Sequence, residues 1–229
     1  MMKTTYRDRY GTPDILTVKE VELREPQSHQ LVIRVMATTV NRTDCGVLTG
    51  SPYIFRFFVG WPKPRHFATG TDFAGVVEAV GSQVQGFKIG DRLWGFHDHG
   101  LGSHAEYLTL SERLPILPIP EGISFEQAAA SAEGAHYAIN FLRYLKLQKG
   151  DRVLVNGATG AIGSAAVQLL KHRGIRVTAT CPGAHTQLVS SLGAEEVIDY
   201  EREDFTLCGS KFQYVLDAVG KSSFGICRK

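Results

Sequence analysis

The residues best suited to do chemistry in this 229-residue chain lie at positions 153–163, V-L-V-N-G-A-T-G-A-I-G. An apolar run fit for a buried strand leads directly into glycine and then into a helical pattern. Ala158, Thr159, Gly160, Ala161, Ile162 and Gly163 follow G-x-G-x-x-G with alanine for the first glycine, and Gly157 supplies a glycine one residue earlier. Gly157 permits a tight turn, Gly160 lets a phosphate approach the backbone where a Cβ would intrude, and Gly163 lets the helix lie close on the strand. The N–H groups that open the helix then make a seat for a pyrophosphate. The pattern points to a dinucleotide.

The elements that must hold such a turn are legible around it. Ile162, Ala165, Ala166, Leu169 and Leu170 recur at helical spacing, and Lys171, His172 and Arg173 crowd the last turn before Gly174. Strands are expected at 176–180, 196–198 and 213–216, with a helix ending at Gly193. Such alternation implies a parallel, doubly wound sheet. Upstream, Ser124 and Gln127 form a capping box that opens an alanine-rich helix. Gly134 is expected to interrupt it, with a second helical stretch running to Lys146.

Residues 6–114 read differently, as short strands punctuated by Gly, Pro and Asp, the mark of an irregular all-β unit. Strands are expected at 18–23, 31–35, 76–80 and 104–110, with a turn followed by a strand across 87–94. Pro115, Pro118 and Pro120 stiffen 111–121 and deny it ladder hydrogen bonds. That stretch is the expected linker between domains at 1–121 and 122–229.

Composition narrows the function classes. The net charge of +2 and the scatter of basic residues argue against a nucleic-acid or membrane surface. There is no apolar run of spanning length and no signal-peptide core at the start, so the cytoplasm is the expected compartment. Cys45, Cys181, Cys208 and Cys227 are far apart and read as reduced thiols.

Five motifs in order, G-T-D-F-A-G-V-V-E-A-V-G at 70–81, G-D-R-L-W-G-F at 90–96, A-E-Y at 105–107, the glycine turn, and L-G-A-E-E-V-I-D-Y at 192–200, resemble the medium-chain dehydrogenase/reductase superfamily, and most of all its zinc-free quinone oxidoreductase branch. The resemblance implies α/β plus β: a GroES-like irregular β domain followed by a Rossmann-type doubly wound parallel sheet. Family members are longer, so the chain is expected to be C-terminally incomplete, truncated after the fourth strand and lacking the strand through which the family usually dimerises.

Zinc-dependent members use an early Cys, a His-Glu pair and a later Cys or His. Here Asn41 stands at the Cys position and Thr71-Asp72 at His-Glu, and an amide and a hydroxyl cannot replace thiolate and imidazole. No catalytic zinc is expected. His97, Asp98, His99 and His104 could gather as metal ligands, but a solvated histidine loop is the favoured reading and no metal site is assigned.

The cofactor implied is NADPH, with NADH possible. NAD-specific folds place an acid at the end of the second strand, where this chain has Thr180-Cys181-Pro182-Gly183; Thr180 and Cys181 there, and Asn41 near the nicotinamide, are expected to contact the cofactor. His185 is the nearest group for a 2′-phosphate, or else an ordinary helix-start residue. Tyr200 matches a family position near the adenosine phosphate, and Ala218 and Val219 match the loop beside the nicotinamide ribose.

Without a metal to polarise a carbonyl, hydride transfer needs an acceptor that is already electrophilic, a quinone or an alkene conjugated to a carbonyl. The protein would supply donors to the developing oxyanion. Asn41, at the family's N-P-x-D motif, is the donor candidate, against a plain turn-capping role; Asp44 reads as a turn stabiliser. Gly46 occupies the place of the Tyr that some quinone reductases carry, leaving Tyr53 as a second candidate from a different position, unless it is only an exposed loop aromatic. Tyr53, Ile54, Phe55, Phe57, Phe58 and Trp61 either line a substrate entrance or form satellite core. A protein of the same family that binds nucleotide or a partner without turnover is the alternative reading.

Overall fold

The computed structural model describes residues 1–227, in two units, Met1–Ala132 and Glu133–Lys229. The first contains β1 (Met2–Tyr6), β2 (Thr17–Val21), β3 (Gln30–Ala37), α1 (Arg42–Thr49), α2 (Phe55–Val59), β4 (Asp72–Val80), β5 (Arg92–Phe96), β6 (Tyr107–Ser111), β7 (Ile116–Pro118) and the start of α3 (Phe125–Leu142). β1 and β2 pair with each other, and the remaining strands form an antiparallel sheet in the order β6-β3-β4-β5-β7. Alternate residues of β3, Leu31 and Ile33, join Phe73, Val77, Leu93, Leu108 and Leu110 in the core beneath this sheet.

The expected all-β unit thus contains two helices. α1 forms because Asn41 and Asp44 close a reciprocal capping box at its start, and Gly50 ends it in the left-handed region at φ 61°. The expected turn and strand across 87–94 are present: Gly90 turns the chain at φ 92° and β5 begins at Arg92. Within the proline stretch, β7 pairs with β5 through Leu93↔Pro118 and Trp94↔Leu117. Pro118 is tolerated there because β7 is an edge strand.

The capping box of Ser124 and Gln127 is present, each backbone N–H bonding the other's side chain at 3.0 and 3.2 Å. Ala128 and Ala129 pack on Ala74 and Ile119, so the first turns of α3 go with the first unit. The expected break at Gly134 does not occur; α3 runs unbroken to Leu142. A Cβ at 134 would lie 2.5 Å from the carbonyl oxygen of Ala161, so this glycine allows one backbone to approach another.

The second unit continues with β8 (Arg152–Asn156), α4 (Ala161–His172), β9 (Arg176–Cys181), α5 (Thr186–Ser191), β10 (Glu196–Asp199), β11 (Tyr214–Asp217) and α6 (Phe224–Cys227). Its four strands are parallel in the order β10-β9-β8-β11, a Rossmann-type sheet. Val153, Leu154 and Val155 are all fully buried, which explains why β8 reads as a continuous apolar run. α4 buries Gly163, Ala166, Val167 and Leu170, a stripe rotated from the expected one, with Val167 inside and Ile162 at the margin. Among the described residues no helix is long and apolar enough to cross a membrane.

Candidate functional site

In the second unit the candidate residues collect at the carboxyl ends of the four strands, where parallel sheets of this kind bind ligands. β8 ends at Asn156 and the chain reverses at Gly157, φ 84°. Gly157 donates its N–H to Thr180 Oγ1 at 3.0 Å, Thr180 donates to Asn156 Oδ1 at 2.6 Å, and Ala158 donates to the Thr180 carbonyl at 2.9 Å. The end of β9 thereby fixes the turn. Gly160 is the N-cap of α4 and offers no capping side chain. A Cβ built there meets nothing nearer than Gly157 O at 3.7 Å, so the space in front of the helix is open. Gly163 is the opposite case: its Cβ would lie 2.2 Å from Gly157 O.

β11 completes the cradle. Asp217 accepts from Asn156 Nδ2 at 3.0 Å and from the backbone N–H of Val219, Gly220 and Ser222 at 3.0, 3.1 and 2.7 Å. Burial draws this carboxyl upward, but those four hydrogen bonds outweigh it and hold it below the usual carboxylate range. Val219 lies against the turn, since a Cβ at 157 would come 2.2 Å from its Cγ2. Thr180, Asn156 and Asp217 thus form one chain of hydrogen bonds tying three strand ends together. Neither Asn156 nor Asp217 belongs to the glycine pattern, and only the pairing Asp217↔Asn156 in neighbouring strands reveals their role.

Other expected contacts are placed less favourably. Thr180 and Cys181 are fully buried, and burial pushes the Cys181 thiol up; the Thr180 hydroxyl serves the turn through Gly157 and Asn156. His185 is exposed in a short turn after β9, and Tyr200 donates its N–H to the Cys181 carbonyl at 3.2 Å. The acid missing from β9 is supplied by its neighbour: Asp199 pairs with Cys181 in register, and a Cβ at Gly183 would lie 2.5 Å from Asp199 Oδ2. Arg202 sits 3.5 Å from that carboxylate.

In the first unit Asn41 anchors a closed cluster. Its Oδ1 accepts from Asp44 N–H at 2.8 Å, and its amide nitrogen donates to Thr71 Oγ1 at 2.9 Å and Asp72 Oδ2 at 3.1 Å. Thr71 donates to Asp44 Oδ1 at 2.9 Å, while the fully buried Asp72 also accepts from Thr39 N–H at 2.8 Å. His104 donates from Nε2 to the Thr39 carbonyl at 2.8 Å, and its Nδ1 shares a hydrogen bond with the Thr69 hydroxyl at 2.8 Å. Asn41 is thus a cap with its polar atoms engaged. Tyr53 is 70% exposed under the Arg56 guanidinium, and no hydrogen bond joins it to the Asn41 cluster among the described residues. Ile54, Phe57, Phe58 and Trp61 are exposed, which removes the satellite-core reading for them.

This cluster does not fit zinc. It contains amide, hydroxyl and carboxylate groups already bonded to one another, with no thiolate at 41 and no imidazole at 71. A cavity of about 530 Å³ in the same unit, lined by Tyr6, Val21, Phe67 and Leu108 among others, includes none of the candidate residues, and no chemistry is assigned to it.

Asp44 gives the cluster a pH signature. Burial raises its carboxyl above the usual range, against hydrogen bonds from Asn41 and Thr71 and the nearby His104. An acid whose folded pKa is raised contributes its stability fully below the unfolded value, about 3.9, and loses it as pH rises through the folded value. The stability difference between wild type and Asp44→Asn should therefore shrink as pH rises, in urea melts across the mildly acidic to neutral range. A difference that grows with pH would show that this carboxylate is stabilised in its charged form.

Family models match residues 27–121 as an alcohol dehydrogenase GroES-like domain and 161–227 as a zinc-binding dehydrogenase. The chain is 35% identical to 2-methylene-furan-3-one reductase of Solanum lycopersicum, over 96% of its own length and 58% of the relative's. It is 32% identical to an NADPH-dependent alkenal/one oxidoreductase of Arabidopsis thaliana, over 96% and 58%. The chain thus spans less than two thirds of the length of these curated relatives. The solved quinone oxidoreductase of Coxiella burnetii superposes with a TM-score of 0.85 at 32% identity, covering 96% of this chain and 69% of that one. With two such sheets in sequence, the glycine turn at the carboxyl edge of the second, and this likeness to a solved relative, the chain belongs to the quinone oxidoreductase family of the medium-chain dehydrogenase/reductases.

Proposed function

We propose that the chain is a reductase that passes a hydride from NADPH to a quinone or an α,β-unsaturated carbonyl without a catalytic metal. The observation that carries this reading is the open N-terminus of α4 at Gly160, held by Thr180, Asn156 and Asp217. Gly157, Ala158, Thr159, Gly160, Ala161, Ile162 and Gly163 would take the pyrophosphate, Ala218 and Val219 the nicotinamide ribose, and His185 and Tyr200 the adenosine phosphate. When bound, the nicotinamide supplies the hydride. The names of the Arabidopsis and tomato relatives support NADPH and a conjugated carbonyl.

The chain's own task is to orient the acceptor and satisfy the charge that appears on its oxygen. Asn41 and Tyr53 are the groups proposed to face it. Since the Asn41 amide is bonded to Thr71 and Asp72, its donation would require giving up one of those bonds. That same engagement favours a second reading, a protein that binds the nucleotide without turnover. The test is NADPH oxidation with a panel of quinones and enones, with and without chelator. Turnover indifferent to chelator supports the reductase; cofactor binding without turnover on any acceptor supports the second reading. A small-molecule acceptor, no nucleic-acid or membrane partner, and the cytoplasm as compartment complete the proposal, the last in keeping with four free cysteines.

The preference for NADPH is opposed by one group. Asp199 brings a carboxylate to the end of β9, next to Gly183, where it would repel a 2′-phosphate. Asp199→Asn is expected to lower the KM for NADPH about fivefold, the effect of roughly 1 kcal/mol between screened charges, and to leave that for NADH unchanged. If the KM for NADH rises instead, the carboxylate holds ribose hydroxyls and NADH is the cofactor.

A further inference from the structure

The histidine loop is the feature that the proposed reaction leaves unused. Immediately after β5, His97 donates its N–H to the Thr71 carbonyl at 2.8 Å, and Gly100, at φ 94°, donates back to the His97 carbonyl at 3.0 Å. Residues 97–99 are thereby held at the tip of a turn. The His99 ring stacks on Phe58 with centroids 5.6 Å apart and planes 7° apart, and meets the His97 ring edge-on at 5.2 Å. Asp98 Oδ1 lies 3.7 Å from His99 Nδ1. One ligand atom from each of His97, Asp98 and His99 falls within 4.8 Å of the other two. His104 is not part of the group, its ring nitrogens lying against Thr39 and Thr69; within the group, His97 Nδ1 accepts from the His99 N–H at 3.3 Å, a bond that would be given up if this nitrogen were the ligand.

We propose that His97, Asp98 and His99 form a site for one divalent ion of the zinc type, with water completing the coordination. Two imidazoles and a carboxylate are suitable donors for Zn²⁺ and for Co²⁺ or Ni²⁺ in its place. Metal–ligand bonds of about 2.0–2.2 Å place ligand atoms of a tetrahedral site roughly 3.3–3.6 Å apart, so small side-chain rotations close the present spacing. The turn and the Phe58 stack limit the loop before the ion arrives, which lowers the entropic cost of gathering three ligands. This site shares no side chain with the Asn41 cluster, which it adjoins through the His97 N–H on the Thr71 carbonyl, and does not depend on the proposed reaction.

The test is a Co²⁺ titration of the whole chain followed by visible absorption, with stoichiometry from equilibrium dialysis and Zn²⁺ as competitor. One Co²⁺ per chain, displaced by Zn²⁺, is expected. Removing a ligand should cost at least as much as loss of an outer-shell partner, about 10–100-fold in affinity. His97→Ala and His99→Ala should each show this and together abolish binding, with the far-UV spectrum unchanged. His66→Ala, an exposed histidine outside the group, should bind as the wild type does. Binding by the double variant equal to wild type would assign the ion elsewhere, such as the exposed thiols Cys45 and Cys208, and overturn the proposal. So would failure of the wild type to take up Co²⁺ or Zn²⁺ at micromolar concentration.

Discussion

Gly160→Asp is expected to abolish NADPH binding while leaving the chain as stable as before, or slightly more so. The residue sits at the N-cap of α4 with φ −74°, a conformation open to any amino acid, and its Cβ would meet nothing closer than 3.7 Å. Asp is among the best N-cap residues, worth a few tenths of a kcal/mol over Gly. The same carboxylate would occupy the place proposed for the pyrophosphate. Two like charges about 4 Å apart at an effective dielectric of 20 repel by roughly 4 kcal/mol, close to a thousandfold in affinity. Nucleotide titration by fluorescence, alongside a thermal melt, separates the two effects. Undiminished binding in a folded variant would move the cofactor away from this turn.

Gly163→Ala should do the reverse and damage the fold itself. Its Cβ would lie 2.2 Å from Gly157 O and 2.9 Å from Ala158 Cα, both backbone atoms of the turn that Thr180 pins. Neither can yield as a side-chain tip would, so α4 must be pushed off β8. Overpacking of this kind costs about 1–3 kcal/mol and occasionally more. At the upper end the melting temperature falls by roughly 6–12 °C for a chain of this size. Gly160→Ala is the matched control: its methyl meets open space, and the poorer N-cap that Ala makes is offset by the smaller entropy of its unfolded chain, so a far smaller change in melting temperature is expected. Equal melting of Gly163→Ala and wild type would mean that α4 does not pack on β8 as closely as described.

The glycine turn was legible because its requirements are local. A left-handed residue at 157, open space at 160 and close packing at 163 are each written in one position. The parallel sheet was legible from the alternation of strands and helices along the chain, and its first strand from the unbroken apolar run Val153–Val155, buried on both faces. What escaped sequence reading depends on register between strands distant along the chain. Asp199 reaches the end of β9 only because β10 pairs Asp199 with Cys181, so the absence of an acid within β9 itself was an incomplete guide to the cofactor. Asn41 is read as donor or cap until Thr71 and Asp72, thirty residues away on the approach to β4, are seen to hold its amide. Gly134 looked like a helix break because glycine weakens helices, but it marks a close backbone approach to Ala161 instead. α1 was missed although its capping box is visible in the sequence at Asn41 and Asp44, because the surrounding strands and turns dominated the pattern.

In the proposed reaction a hydride moves directly from a nicotinamide seated on the Gly160 turn to a conjugated acceptor, with no metal taking part. The most direct measurement follows deuterium from NADPH labelled at the transferable C4 position into an enone, using chelator-treated protein. One deuterium is expected on the β-carbon of the reduced product, at a rate unchanged by added zinc. Product that forms only when zinc is restored, or that carries hydrogen from water at that carbon, would contradict that reaction.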